Sequence, residues 1–272
     1  MLKRKCAVLF ILSIFIPFFV QASPNRDLRY AAGRGNIEEA KRALKAGADV
    51  NCLEGLFEKE TPLYAAVSFG QTDMITLLLA VPNIRPNIPC ETITNRDLPI
   101  HAAAENGRIS VLRQFHIYNQ EITKEEINRN FSMLIEPDRT SRPLEEEEIP
   151  KKELVNFGAQ NTKRETPLSI AVRKRDIEMV TTLLEWRTSS PNGTVSVSLP
   201  NEIHYVILSY LQWAARNNDM ELAKLLLCYG SDPLSTPPSI VSKPPHELAT
   251  NPELKKILHT AYLQAKAKKS KL

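Results

Sequence analysis

Apolar residues recur along this chain in pairs of short stretches. In the second stretch of each pair they are spaced three and four residues apart, as on one face of a helix. The clearest of these second stretches run from Ile75 to Leu79, from Ile177 to Leu184 and from Leu222 to Leu227. The stretch before each is richer in alanine. The pattern predicts units of two short helices, repeated along the chain.

A ten-residue frame opens each unit. It reads Thr61-Pro62-Leu63-Tyr64-Ala65-Ala66 in one unit and Thr166-Pro167-Leu168-Ser169-Ile170-Ala171 in another, and looser copies contain Leu28 to Gly35, Leu98 to Gly107 and Leu211 to Asn218. The tenth residues of the frames lie 35, 37, 68 and 43 residues apart, and they are Gly35, Gly70, Gly107, Arg175 and Asn218. The spacing of 68 leaves room for one further unit. A repeat of this length is typical of a solenoid.

The frame also predicts where each first helix begins and ends. The side chains of Thr61 and Thr166 can accept a hydrogen bond from a free amide of the first turn. Proline is tolerated in that turn, as at Pro62 and Pro167, because the N–H that it lacks would have no helical hydrogen-bond partner. The glycine that ends three of the frames can adopt the left-handed conformation that stops a helix.

These residues resemble the ankyrin repeat family, whose T-P-L-H-x-A signature recurs about every 33 residues. The match is closest in Thr61 to Ala66, in Pro99 to Ala103 and in Ala46 to Asn51, which is similar to the family's end-of-repeat turn. The resemblance implies an all-α ankyrin-repeat solenoid of helix-turn-helix units with β-hairpin-type finger loops. For His101, at the family's histidine position, it implies a structural hydrogen bond.

On this basis we expect about five recognisable repeats, one degenerate repeat and a C-terminal cap. The repeat domain would cover residues 23–260, with repeats near 27–58, 59–93, 96–120, 164–200 and 207–238, the degenerate repeat at 121–162 and the cap at 243–260. A basic tail of residues 261–272 would follow.

Two segments depart from the repeat pattern. The degenerate repeat predicts one helix from Thr123 to Leu134 and another from Pro143 to Phe157, split near Pro150. The acidic run from Glu145 to Glu148 is interpreted either as a solvated helix start or as part of a partner-binding insertion. From Thr188 to Pro200, an Asn-Gly pair precedes alternating residues, which predicts a hairpin finger.

The N-terminus has the three-part layout of a secretory signal peptide over residues 1–22. Three basic residues precede an apolar run of 15 residues from Cys6 to Val20. Val20, at the end of this run, and Ala22 supply small residues at the two cleavage positions. A membrane span needs about 20 apolar residues. We therefore expect cleavage near Ala22 and export to a periplasm or the outside of the cell, with no stable membrane span afterwards. An uncleaved anchor over residues 6–20 is the alternative. The short signal and the divergent repeats suit a bacterium.

Removal of this segment changes the charge of the protein. The whole chain has a net charge of +4, whereas residues 23–272 carry 32 basic and 31 acidic side chains. A nearly neutral chain argues against nucleic acid as the partner. Three cysteines remain without C-x-x-C spacing, so they are either unpaired or include a Cys52–Cys90 bridge.

The chain lacks the patterns of the common catalytic and cofactor sites. It contains no Gly-rich phosphate loop, no H-E-x-x-H zinc motif and no G-x-S-x-G elbow. We therefore predict no catalytic residue, no cofactor and no metal site. The protein is expected to act as a scaffold and not as an enzyme.

The resemblance implies binding of another protein through the finger loops and the exposed side of each first helix. Frame positions on that side supply the candidate residues Tyr30, Phe69, Glu105, Arg173, Lys174, Trp213 and Arg216. Aromatic and arginine side chains are enriched at binding hot spots. The run Arg173-Lys174-Arg175, together with Arg216, predicts a positive patch that would attract an acidic segment of the partner.

The sequence thus favours an exported, monomeric protein-interaction module, host-directed if the source is an intracellular bacterium. Two alternatives remain open. One is an exported enzyme or inhibitor whose activity resides in residues 116–165. The other is an ankyrin scaffold anchored at a membrane.

Overall fold

The computed structural model of the chain describes residues 23–55, 59–91, 96–135, 152–198, 205–237 and 243–270. These residues form twelve helices and one two-stranded sheet. In chain order the elements are α1 (Pro24–Arg34), α2 (Ile37–Lys45), α3 (Pro62–Phe69), α4 (Thr72–Leu79), α5 (Pro99–Glu105), α6 (Ile109–Ile135), α7 (Pro167–Lys174), α8 (Ile177–Glu185), β1 (Thr194–Ser198), β2 (Tyr205–Ser209), α9 (Tyr210–Arg216), α10 (Met220–Cys228), α11 (Pro245–Leu248) and α12 (Pro252–Lys269). Residues 1–22, predicted to be a signal peptide, lie outside the described part.

The helices form antiparallel pairs, and the pairs stack in sequence order. The odd-numbered helices, which we call first helices, lie closer to one another than the even-numbered second helices do. Alanine makes this possible, because it occupies half of the buried positions of α1, α3 and α5, namely Ala31, Ala32, Ala65, Ala66, Ala102, Ala103 and Ala104. We call the side of the array formed by the first helices its inner face and the side formed by the second helices its outer side. Larger apolar residues of both helix rows fill one continuous core.

The predicted helix starts are confirmed. Thr61 Oγ1 accepts a hydrogen bond from the amide of Tyr64 at 3.1 Å, and Thr166 Oγ1 accepts one from the amide of Ser169 at 3.1 Å. At the start of α5 a leucine, Leu98, replaces the threonine. There the amide of Leu98 donates to His101 Nδ1 at 3.1 Å instead. The starts of α3, α5 and α7 are thus each set by a local side chain.

His101 joins two distant parts of the chain. Because Nδ1 accepts from Leu98, the proton lies on Nε2, which donates to the carbonyl oxygen of Ala159 at 3.0 Å. The ring is fully buried, and this burial lowers the pKa of His101. The structural hydrogen bond implied by the resemblance is therefore present, and the neutral imidazole is the form that fits it.

The three frame ends with glycine behave as predicted, and the two without glycine adopt the same conformation. Gly35, Gly70 and Gly107 have φ values of 71°, 72° and 62°, and Arg175 and Asn218 adopt the same left-handed conformation at 60° and 52°. At two of these positions a side chain of the next repeat also lies against the glycine. A Cβ atom on Gly35 would stand 2.4 Å from Gln71 Oε1, and one on Gly70 would stand 3.1 Å from Arg108 Cζ.

The segment between α6 and α7 differs from the prediction. Residues 123–134 are helical as expected, but they continue α6 and do not form a separate helix. Residues 152–157, placed in a second helix by the sequence, are not helical: residues 152–156 have no regular secondary structure, and Phe157 begins a turn. Residues 136–151, with the acidic run from Glu145 to Glu148, lie outside the described part. The prediction of a helix ending at Phe157 is wrong, because the backbone there makes its hydrogen bonds to side chains of earlier repeats.

Two asparagines hold this return segment, which we define as residues 152–161. Asn119 on α6 accepts from the amide of Val155 and donates to its carbonyl oxygen, both at 2.8 Å. Asn87 donates to the carbonyl oxygen of Leu154 at 2.7 Å and accepts from the amide of Asn156 at 2.9 Å. Four backbone groups of this non-helical segment thus find side-chain partners in place of helical ones.

The predicted hairpin is confirmed, but its turn is not where the sequence placed it. Strands β1 and β2 are antiparallel, with Thr194 opposite Ser209 and Ser198 opposite Tyr205. Asn192 and Gly193 precede β1, and residues 199–204 connect the strands outside the described part. The amide of Tyr210 instead donates to the carbonyl oxygen of Gly193 at 3.2 Å, which fixes the open end of the finger.

The C-terminal end is covered by α11 and α12, as the prediction of a cap requires. Asn251 Oδ1 accepts from the amides of Glu253 and Leu254, at 2.9 and 3.1 Å, and starts α12. Leu254 and Leu258 are buried against the last repeat. The helix then runs without a break to Lys269, across the boundary expected between cap and tail.

Gly33 inside α1 and Gly35 just after its last residue provide a test of where this helix ends. Gly33→Ala should raise the free energy of unfolding by about 0.5–1 kcal/mol, because alanine favours a helix and its Cβ would meet Phe69 at an ordinary 3.4 Å. Gly35→Ala should lower it by about 1–2 kcal/mol, because an L-residue is strained at this positive φ. Urea unfolding of both variants, followed by circular dichroism, measures the difference. Equal effects of the two substitutions would contradict the assigned helix end.

Candidate functional site

The inner face of the array carries two exposed aromatic side chains at its N-terminal end. Tyr30 on α1 is 46% exposed, and Phe69 at the end of α3 is 64% exposed. Phe69 lies over Gly33, one helical turn after Tyr30, so both rings occupy the same side of the first helices. We call these two residues the aromatic step. Arg29 and Arg34 stand 5.0 and 5.9 Å from the centre of the Tyr30 ring.

The middle of the face carries a cluster of charges between α5 and α7. Arg173 Nε donates to Glu165 Oε1 at 2.9 Å, and the same guanidinium also pairs with Glu105. Lys174 Nζ lies 3.4 Å from Glu105 Oε2 and donates to the backbone carbonyl of Glu105 as well. The carboxyl of Glu165 is buried, while Glu105 and the two basic side chains are partly exposed. Arg173 therefore bridges the carboxylates of Glu105 and Glu165.

The predicted positive patch is therefore largely neutralised within the protein. Arg175, the third residue of the basic run, donates to Asp219 Oδ2 at 2.6 Å, and Asp219 is buried at the start of α10. Arg216, in contrast, is exposed on α9 and forms no ion pair with any described residue. Of the four basic residues expected to attract a partner, only Arg216 keeps an unpaired charge there.

Trp213 is positioned between helices more than toward solvent. Its Nε1 donates to the carbonyl oxygen of Val172 at 3.2 Å, and its ring packs against the core. The hydrogen bond joins α9 to α7 across the base of the finger. Trp213 thus supports the stack, and the other predicted site residues divide into the aromatic step, the charge cluster and Arg216.

A three-ring cluster on the outer side was not predicted from the sequence. His116 on α6 stacks on Trp186 with ring centroids 4.3 Å apart, and Phe157 of the return segment meets both rings edge-on at 6.3 and 6.0 Å. Gln120 Nε2 donates to His116 Nε2 at 3.0 Å, which requires the neutral ring. Burial lowers the pKa of His116. The cluster packs the return segment against α6 and the end of α8, and no sequence pattern links its three members.

Among the described residues, no group of three or more His, Cys, Asp or Glu side chains is placed to hold a metal ion. Cys52, Cys90 and Cys228 are unpaired, so the Cys52–Cys90 bridge does not form in this structure. Burial raises the pKa of the Cys52 thiol to about 12 and also raises that of Cys90, which makes both poor nucleophiles. No helix within the described ranges is both long and apolar enough to cross a membrane.

Comparison with known families agrees with this architecture. Residues 28–126 match a family model of ankyrin repeats in three copies, and residues 209–236 match a model of a single ankyrin repeat. The chain therefore contains ankyrin repeats, and its fold is the ankyrin-repeat fold. Ankyrin repeats are protein–protein interaction modules.

Solved structures and curated proteins were compared as well. Among the matching solved structures is the human ASB11 ankyrin repeat domain, which is 21% identical and aligns over 86% of this chain and 81% of that one, with a TM-score of 0.49. The search of curated proteins found no match to this chain.

The charge cluster predicts unequal roles for two adjacent basic residues. Arg173→Met should lower the free energy of unfolding by about 1–3 kcal/mol, because it leaves the buried Glu165 carboxylate without its ionic partner. Lys174→Met should change it by less than about 1 kcal/mol, because both partners in that pair are partly exposed. Denaturant unfolding of the two variants measures this difference. If Lys174→Met destabilises the fold as much as Arg173→Met, the assigned network is wrong.

Proposed function

We propose that this protein binds another protein through the inner face of its repeats, with the aromatic step as the main anchor. The observation that carries the proposal is the exposure of Tyr30 and Phe69 on adjacent first helices. Large aromatic side chains contribute much apolar area to an interface, and they are enriched at binding hot spots. The position of Phe69 is held by the close approach of α1 and α3, so the partner meets a preformed surface.

An acidic segment of the partner would meet different residues from those favoured by the sequence. Arg173 and Lys174 are already paired with Glu105, and a new pairing would have to break those contacts. Arg216 remains exposed at the C-terminal part of the face, and Arg34 is exposed beside Tyr30. We propose that acidic side chains of the partner contact these two residues, and that the protein binds as a monomer.

The role is proposed to be binding and not catalysis. The alternative placed an enzymatic or inhibitory activity in residues 116–165. In the described part of that segment, Asn119 holds the return segment and His116 is stacked on Trp186, so both polar groups are engaged in packing. This supports a structural use of the segment.

Export is proposed on the basis of the N-terminal pattern. The basic residues at positions 3–5 and the apolar run to Val20 have the layout of a cleaved signal, and α1 begins at Pro24, just after the expected cleavage point. N-terminal sequencing of the protein recovered from its native cells tests this proposal. A mature chain beginning at Ser23 is expected, whereas a chain that retains residues 6–20 would support the anchored alternative.

The binding proposal is tested with substitutions on opposite sides of the array. A partner is first captured from native cells with the full chain, and its affinity is then measured for wild type, for Tyr30→Ala with Phe69→Ala, and for Ile117→Ala. Ile117 is 52% exposed on α6, in the outer helix row, so it matches the aromatic step in exposure but not in position. We expect the double variant to weaken binding at least about tenfold, in line with a hot-spot loss above 1 kcal/mol.

The control should leave the affinity within about twofold of wild type, because isolated surface contacts contribute little. A similar loss in Ile117→Ala, or an unchanged affinity in the double variant, would place the partner elsewhere. Sedimentation of the complex tests whether the protein binds as a monomer, since one chain of this protein is expected for each binding site on the partner.

A further inference from the structure

The C-terminal end of the array contains a groove that the inner-face proposal does not use. It lies between α10 and α12 and has a volume of about 810 Å³. Leu227 on α10 and Pro233 in the following turn form one wall, and Ile257, Ala261 and Ala265 on α12 form the floor. The three α12 residues are four apart in sequence, so they lie along one face of the helix. The floor is therefore apolar, and Thr260 and Gln264 of the same helix line the groove beside it.

Charged residues stand at the rim of this apolar floor. Lys256 and Lys268 line the groove at positions 12 residues apart on α12, and Glu253 lines the end nearest the start of the helix. At 1.5 Å per residue, the two lysines are about 18 Å apart along the axis. Both are exposed, and neither forms an ion pair with a described residue. The rim thus presents two separated positive charges along an apolar floor.

We propose that this groove is a second protein-binding site, which accepts an acidic amphipathic segment of a partner protein. Apolar side chains of the segment would lie on Ile257, Ala261 and Ala265, and its carboxylates would pair with Lys256 and Lys268. A helix of three to four turns has the length needed to reach both lysines. Recognition of apolar anchors on one helical face is a common way for a groove to bind a peptide.

The charges and the shape of the groove favour this occupant over two others. A second copy that inserted its own α12 would bring Lys256, Lys266 and Lys268 of both chains together, and like charges oppose such pairing. A membrane-binding helix typically presents Trp, Phe or Leu on its apolar face, whereas the floor here consists of one isoleucine and two alanines. An acidic protein segment satisfies both the apolar floor and the basic rim.

The proposal is tested by peptide selection on the immobilised full chain. Random 15-residue peptides are displayed, and the selected sequences are synthesised for affinity measurement by fluorescence anisotropy. We expect enrichment of peptides with apolar residues three and four apart, flanked by aspartate or glutamate. The double variant Lys256→Glu with Lys268→Glu should weaken these peptides at least tenfold. Ala261→Met, which fills the floor without changing charge, should do the same.

A matched control separates the groove from general electrostatics. Lys255→Glu with Lys266→Glu makes the same charge change on α12, at residues that do not line the groove, and should alter affinity less than twofold. Phe69→Ala should also leave peptide binding unchanged, so this test is independent of the inner-face proposal. Circular dichroism verifies that each variant is folded.

Several outcomes would overturn the proposal. These are selection of no peptide or of peptides without acidic residues, unchanged binding in both groove variants, and an equal loss in the lysine control or in Phe69→Ala. Dimerisation that is lost in the groove variants would identify a second copy as the occupant. Binding to phosphatidylserine vesicles that is lost in those variants, without peptide binding, would identify a membrane.

Discussion

No repeat in this protein can bury its apolar surface alone, and the rest of the structure follows from that constraint. In α1, the residues Leu28, Ala31 and Ala32 are fully buried, yet one paired helix cannot surround them. The contact with α3 completes their burial, and α3 in turn depends on α5. Stability in such an array comes from neighbouring interfaces. The alanines are essential to this arrangement because a larger side chain would separate the first helices.

Polar side chains fix the stacking that the apolar contacts permit. Asn51 donates to the carbonyl oxygen of Asn83 and accepts from the amide of Arg85, both at 2.8 Å. Asn218 likewise accepts from the amides of Thr250 and Asn251, at 2.9 and 2.8 Å. These loop groups have no helical partner, and the asparagine of the preceding repeat satisfies them. Since apolar packing is weakly directional, such bonds set the register between repeats.

The elements that could be predicted from the sequence are those set by local contacts. The caps at Thr61 and Thr166 and the left-handed glycines at three frame ends depend on neighbours within a few positions, and all of these were placed correctly. The return segment could not be placed, because Asn87 and Asn156 are 69 residues apart in sequence. The positive patch was overestimated for the same reason, since Arg173 and Glu105 meet only when α7 stacks on α5. The C-terminal groove likewise arises from the packing of α12 beside α10.

These internal contacts also decide which surfaces remain available to a partner. In the middle of the inner face, Glu105, Arg173 and Trp213 are engaged with neighbouring repeats, so a partner gains little by contacting them. At the two ends the array has fewer neighbours to satisfy, and there the aromatic step and the groove along α12 remain uncovered. In this array, side chains such as Asn51, Arg173 and Trp213 hold neighbouring units together. Recognition by this protein is therefore expected to concentrate at the ends of the array, where the stacking leaves side chains free.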